Sequence, residues 1–272
     1  REGYSRELDR KCVTRFTADP AGRFARWDFS VPCGMGRETA FSLVLSLSEG
    51  RNVASLKVTR AEARERDVGD QVRLVFRPDV EWRSFHATTK AYSGLEGSFP
   101  VASRATDDGF VFAPFDGRFE MKVCGGVYHH EPQWCYSVAH PEEAERGQDG
   151  SGDLFSPGWI SADLKVGESV ELVGSLADGR PLPTAVVAEE SARREAKDAA
   201  GLAAPLRRAL ELYIVKRDDL KTVIAGYPWF LDWGRDTFIF MRGMIAAGKT
   251  DESLKILKAF AAFEENGTLP NI

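Results

Sequence analysis

The feature that most limits what this chain can fold into is a change of hydrophobic period. Up to about residue 180 apolar residues recur at every second position, and from about Ser191 they recur at helical spacing. In "FSLVLSLS" (41–48), Phe41, Leu43, Leu45 and Leu47 alternate with Ser42, Val44, Ser46 and Ser48. Trp27, Phe29 and Val31 do the same in "RWDFSV", Val72, Leu74 and Phe76 in "VRLVFRP", and Phe119, Met121 and Val123 in "GRFEMKVCGG". Period two predicts half-buried antiparallel strands, because successive side chains on a strand point to opposite faces. Turn signals at 107–109, 116–117 and 178–179 separate the runs, so the first part reads as a β-sandwich.

Beyond Pro181 and Pro183 a charged run leads into an amphipathic helix with Leu206, Leu210, Tyr213 and Ile214 on one side. The last stretch reads as a helical hairpin. Asp236 caps the first helix and Gly248 ends it. Thr250 or Asp251 caps the second, which carries a stripe of Leu254, Leu257 and Ala261 and closes at Gly267. The expected division is a sandwich over 1–185, a linking helix region over 186–222, and a helical domain from 223 to 272. About three helices leave little to bury them, so this domain is expected to continue elsewhere. A chain beginning with Arg rather than Met is likewise expected to start inside a longer reading frame or after processing.

The apolar fraction of 43% and charged fraction of 28% are those of a globular protein. A net charge of −5 gives no reason to expect nucleic acid or an anionic membrane as partner. No apolar run approaches the roughly 18 residues that span a bilayer. Cys12, Cys33, Cys124 and Cys135 form no C-x-x-C pair, and no His stands at zinc-ligand spacing from them. The expectation is a cytoplasmic protein with free, mostly buried thiols and neither metal nor cofactor.

The segment "AGYPWFLDWGRDTFIFMRG" (225–243) combines rings, carboxylates and a guanidinium. Indole faces stack on sugars, a carboxylate accepts from sugar hydroxyls, and a guanidinium donates to them. Trp229 and Trp233 could wall a sugar subsite, Arg235 and Asp236 could grip it, and Gly226 and Gly234 would let backbone approach closely. The competing reading is structural: Asp236 an N-cap, Arg235 its ion-pair partner, and the tryptophans ordinary core.

"YPWFLDWGRDTFI" followed by "GKTDESLKILKAFAAFEENGTLPN" resembles the start of the catalytic domain of glycogen debranching enzymes of bacterial and archaeal type. "VRLVFRPDVEWRSFH" (72–86) is similar to the family's R-P-x-x-x-x-R-x-F-H segment, and "WCYSVAHPEEAERGQDGSGDLFSPGWI" (134–160) to its Y-P-x-E-x-x-R-G-x-D segment and the following D-L-F-x-P-G. Leu231, His140 and Gly152 depart from the usual small residue, Tyr and Glu. The resemblance implies an antiparallel β-sandwich followed by the first helices of an (α/α)6 barrel, incomplete in this chain. It implies amylo-α-1,6-glucosidase chemistry: hydrolysis of α-1,6 branch linkages in glycogen or a branched α-glucan, with inversion. That reaction needs two carboxyl groups about 6.5–9.5 Å apart, and the family's pair lies beyond residue 272. No residue of this chain is therefore expected to be the general acid or base. By position in the motif, Trp233, Arg235 and Asp236 match residues that hold the non-reducing glucose in the subsite being cleaved, with Asp232 a further candidate for the same role, beside the wall that residue type suggests for Trp229. The expected partner is the rest of the barrel, as a further segment or a separate chain.

"HPEEAERGQD" reads as a solvated acidic loop or, through Arg146, as part of the branch-binding groove. His129 and His130 read as satisfied surface or interface residues, and His86 as structural. Two other functions compete: a related barrel hydrolase of glucoamylase type, which the R-P and R-G segments oppose, and a non-catalytic carbohydrate-binding module. The module would show exposed aromatics on one sandwich face and would bind sugar without Trp233.

Overall fold

The computed structural model describes residues 7–19, 22–48, 51–63, 66–69, 71–84, 87–176 and 203–271. His86, the prolines at 181 and 183, the charged run after them and the Asp-Gly at 178–179 lie outside these residues. The chain divides into two compact units, Arg1–Asp19 with Arg23–Arg193, and Pro20–Gly22 with Arg194–Ile272.

The first unit is built of antiparallel strands. They are β1 (Val13–Ala18), β2 (Phe24–Gly34), β3 (Arg37–Leu47), β4 (Val53–Ala61), β5 (Val72–Phe76), β6 (Ser103–Thr106), β7 (Gly109–Phe112), β8 (Phe119–Cys124), β9 (Val127–Ala139), β10 (Ser151–Leu164) and β11 (Ser169–Leu176). A larger sheet has the order β1-β2-β3-β4-β11-β8-β7-β6, and a smaller one the order β5-β10-β9. Phe41, Val58, Val123, Val170 and Leu172 of the larger sheet share one core with Leu74, Ile160, Ala162 and Leu164 of the smaller. Face-to-face packing through alternating residues of both sheets makes this a β-sandwich. A second cluster joins Phe110, Phe112 and Phe155 to Phe99 of helix α1 (Leu95–Ala102).

The period-two reading of β3 needs one correction. Phe41 and Leu43 face the shared core, but Leu45 and Leu47 on the same face are exposed. Among the described residues the smaller sheet has three strands, and the shared core reaches Phe41 and Leu43 of β3 but not Leu45 or Leu47. On the other face Ser42, Val44 and Ser46 are buried. Val44 lies between Arg26 and Lys57 in register, and long basic side chains lay their methylenes over such a residue. Arg60 is fully buried on the core face, opposite Phe41. It donates to the Leu164 carbonyl at 2.9 Å and to Asp67 at 2.8 Å, tying the larger sheet to β10 of the smaller.

The second unit holds helix α3 (Ala203–Glu211), strands β12 (Ile214–Arg217) and β13 (Leu220–Val223), and helices α4 (Gly234–Ala246) and α5 (Thr250–Ala261). Its core is Val223, Met241, Met244, Ile256 and Phe260, with Leu210, Ile214, Phe238 and Phe240 around them. Here the sequence reading is corrected in four places. The amphipathic helix does not continue through Ile214, which starts a β-hairpin turning at Asp218 (φ 49°). α5 ends at Ala261, and Gly267 belongs to a separate turn closed by reciprocal bonds between Glu265 and Thr268. The buried line on α5 is Ser253, Ile256, Ala259 and Phe260, while Leu254, Leu257 and Ala261 are exposed. Both lines satisfy helical spacing, and packing of α5 against β13 selects between them. Finally, neither helix of the hairpin has a side-chain cap where one was expected: the N-cap positions are Trp233 and Lys249. Gly248 does sit just past α4 with φ 83°, as the sequence predicts.

Candidate functional site

In the strand unit the distinctive sequence segments meet in one network of backbone and carboxylate. Val80, in the segment after β5, donates to the Phe155 carbonyl at 2.8 Å. Glu81 accepts from Arg83 Nε and Thr89 Oγ1, both at 2.8 Å. Asp153 is buried, and its two oxygens accept the N–H groups of Ser137 and Ala91 at 2.9 Å each. Those two amides hold its carboxyl below the usual carboxylate range. Asp153 faces a bulge: Gly152 pairs with Val138 and Leu154 with Cys135, so Tyr136 and Ser137 together oppose it, with Ser137 at φ 55°. The bulge requires such an anchor, since positive φ is costly for a residue with a Cβ.

The two departures at 140 and 152 are spatially coupled. A Cβ on Gly152 would lie 2.6 Å from Thr88 Cγ2 and 2.8 Å from His140 Cε1, so the imidazole fills the space a side chain at 152 would need. The acidic loop forms a short exposed helix, α2 (Pro141–Glu145). His129 stacks on Trp159 at 3.8 Å and pairs with Ser161 Oγ at 2.9 Å, and His130 pairs with the Tyr128 hydroxyl at 3.0 Å. None of the four cysteines forms a disulfide, and only Cys12 is buried, where mostly buried thiols were expected. Among the described residues of this unit the exposed aromatics, Phe16, Tyr92, Phe115 and Tyr136, are spread over two strands, a single 3-10 turn and a loop and do not line one sheet face.

In the helical unit the five predicted residues separate into two groups. Asp232 is engaged by the fold: its Oδ2 accepts from Arg217 Nη1 at 2.5 Å and Thr222 Oγ1 at 2.9 Å, and the Arg217 guanidinium lies 5.0 Å from the Phe263 ring centroid. Trp229 is half-buried in the loop that contains the cis Tyr227–Pro228 bond. Trp233 is half-buried at the N-cap position and meets the exposed Phe230 edge to face, with centroids 5.4 Å apart. Arg235 and Asp236 occupy the first turn of α4 with side chains 67% and 39% exposed, their Nη2 and Oδ2 3.4 Å apart.

Asp236 is not the cap of α4. Asn271 does that work from 35 residues downstream of it: its carbonyl accepts from Gly234 N at 2.9 Å and its Oδ1 from Arg235 N at 3.0 Å. Gly234 approaches the chain closely, but the neighbour is Pro270, whose carbonyl oxygen would lie 2.1 Å from a Cβ at 234. Gly226 packs under the Phe230 ring in the same way, with 3.2 Å to a Cβ. The sequence pattern "GTLPN" contains Asn271, yet residue types alone do not reveal which amides it serves.

Residues 9–171 match the family model described as glycogen debranching enzyme N terminal, which is more than half of the 272 residues. The chain belongs to the glycogen debranching enzyme family. Residues 208–272 match a second model, amylo-alpha-1,6-glucosidase, which marks this stretch as part of a glycosidase region. The two matches fall one in each compact unit. Among individually curated proteins none matches the chain. The family relation makes glycogen or a related branched glucan the substrate class. No helix among the described residues is long and apolar enough to cross a membrane.

Proposed function

We propose that this chain supplies the β-sandwich and part of the glucose-binding subsite of a cytoplasmic amylo-α-1,6-glucosidase, which hydrolyses α-1,6 branch linkages with inversion. Arg235 and Asp236 grip hydroxyls of the glucose being released, and Trp233, with Trp229 behind it, contributes the apolar wall. Asp232 shapes the loop rather than the sugar contact. The general acid and base come from the rest of an (α/α)6 barrel, on a further segment or a second polypeptide, and this chain carries its first helices.

The observation that supports this reading is the capping of α4. An acid in the first turn of a helix is ordinarily accounted for as a cap or a partner of the helix dipole. Here Asn271 takes the amides of Gly234 and Arg235, and Asp236 keeps a partly exposed carboxylate beside a guanidinium. Such a pair presents acceptors and a planar fork of donors together, as vicinal hydroxyls require. A hydrogen bond to a charged group is worth about 1.5–3 kcal/mol, or roughly 10–150-fold in rate when it acts on the transition state.

In the intact enzyme, Asp236→Ala should lower glucose release from a limit dextrin by about 100-fold while leaving thermal unfolding unchanged. An unaltered rate would reject the assignment. The 272-residue chain alone should release no glucose, and intact mass with a gel for a co-purifying chain would identify the partner.

A further inference from the structure

The segment after α5 provides α4 with something α4 lacks. A helix begins with amide N–H groups that have no acceptor within the helix. Trp233, at the N-cap position, has an indole with no oxygen to offer and makes no side-chain cap. Asn271 serves two of these groups at once, with its main-chain oxygen on Gly234 N and its side-chain oxygen on Arg235 N. The contact is close enough that residue 234 has no room for a Cβ against Pro270. Residues 234–235 and 270–271 are thereby held as one surface, and the backbone that carries Arg235 is fixed from outside its own helix.

We propose that Asn271 is a positioning residue for the glucose subsite. It sets the backbone of Arg235 and so the directions from which Arg235 and Asp236 reach the sugar. The inference rests on the reading of Arg235 and Asp236 as the glucose grip. An amide suits the task because it accepts without adding charge, so Asp236 stays the one acidic residue in the first turn of α4. A carboxylate at 271 would accept the same N–H but would add a second negative charge to this end of the helix.

The test is steady-state kinetics on a limit dextrin, with inhibition by glucose and thermal unfolding, on the intact enzyme and its Asn271→Ala, Asn271→Asp and Asp236→Asn variants. Asn271→Ala should lower kcat/KM by about 10–100-fold and weaken glucose inhibition about tenfold, with the folded fraction at assay temperature unchanged. Asn271→Asp should recover glucose inhibition to within about threefold, since Asn and Asp are equivalent as helix caps. If Asp236→Asn is impaired but Asn271→Ala binds glucose and turns over normally, the positioning role is overturned and the subsite reading stands. If Asp236→Asn behaves as wild type, the subsite reading falls and the positioning role with it. If Asn271→Ala does not fold, Asn271→Asp decides: retained glucose inhibition supports the role, and its loss in a folded protein overturns it.

Discussion

The two units use their carboxylates differently. In the strand unit the acidic side chains named above are fastened to the fold. Asp153 holds two backbone amides, one in the β9 bulge and one at Ala91, Asp67 pairs with buried Arg60 and accepts from Ala63 and Gly69, and Glu81 bridges Arg83 and Thr89. In the helical unit Asp232 is fastened in the same manner by Arg217 and Thr222. The carboxylate of Asp236, four residues on, pairs among the described residues only with the neighbouring Arg235, while the amides of Gly234 and Arg235 are bonded to Asn271. Charged pairs of the same composition therefore differ in how far the fold engages them.

Four substitutions would break or sharpen that contrast. Arg60→Met should have the largest effect, about 3–5 kcal/mol of destabilisation in denaturant titrations. It strips the Leu164 carbonyl and Asp67 of a buried partner. A small loss would mean that the anchor between the sheets is dispensable. Gly234→Ala comes next, at about 1–3 kcal/mol and with an activity loss in the intact enzyme. The added methyl meets the Pro270 carbonyl and the Asn271 clamp must open. Since Ala is otherwise the better helix former, a stabilised variant would disprove the close contact.

Asp153→Asn should cost about 1–2 kcal/mol at pH 7, because an amide has one acceptor oxygen where the carboxylate uses two. The pKa of Asp153 is lowered in the folded state, so its contribution is present above the unfolded value of about 3.9 and is lost as pH falls through the folded value. The gap between wild type and variant should therefore close below about pH 4, and a gap independent of pH would show that charge plays no part. Leu254→Lys should be the mildest, within about 0.5 kcal/mol in the 272-residue chain, since Leu254 lies on the exposed line of α5. A loss confined to the intact enzyme would mark that line as covered there by the rest of the barrel.

Much of the fold was legible in the residues. The alternation in "VRLVF" and "FEMKVC" matches the core faces of β5 and β8, and Gly248 marks the end of α4. The segments 72–86 and 134–160 were legible as motifs, but not the fact that Val80 bonds to Phe155 while Asp153 holds Ala91 and Ser137. The hairpin β12–β13 went unread because four-residue strands following an amphipathic helix leave too short a signal to separate the two periods.

The sequence by itself determined the change from strand to helix, the family, and the presence of Trp233, Arg235 and Asp236 in one short segment. Only the tertiary structure decided that Ile256 rather than Leu257 is buried, that Arg60 ties the two sheets, and that Asn271 rather than Asp236 caps α4. The physical reason is the same each time. A side chain's role depends on which backbone donors and acceptors and which apolar surfaces lie within reach, and those come from residues distant in the chain, which local periodicity does not record.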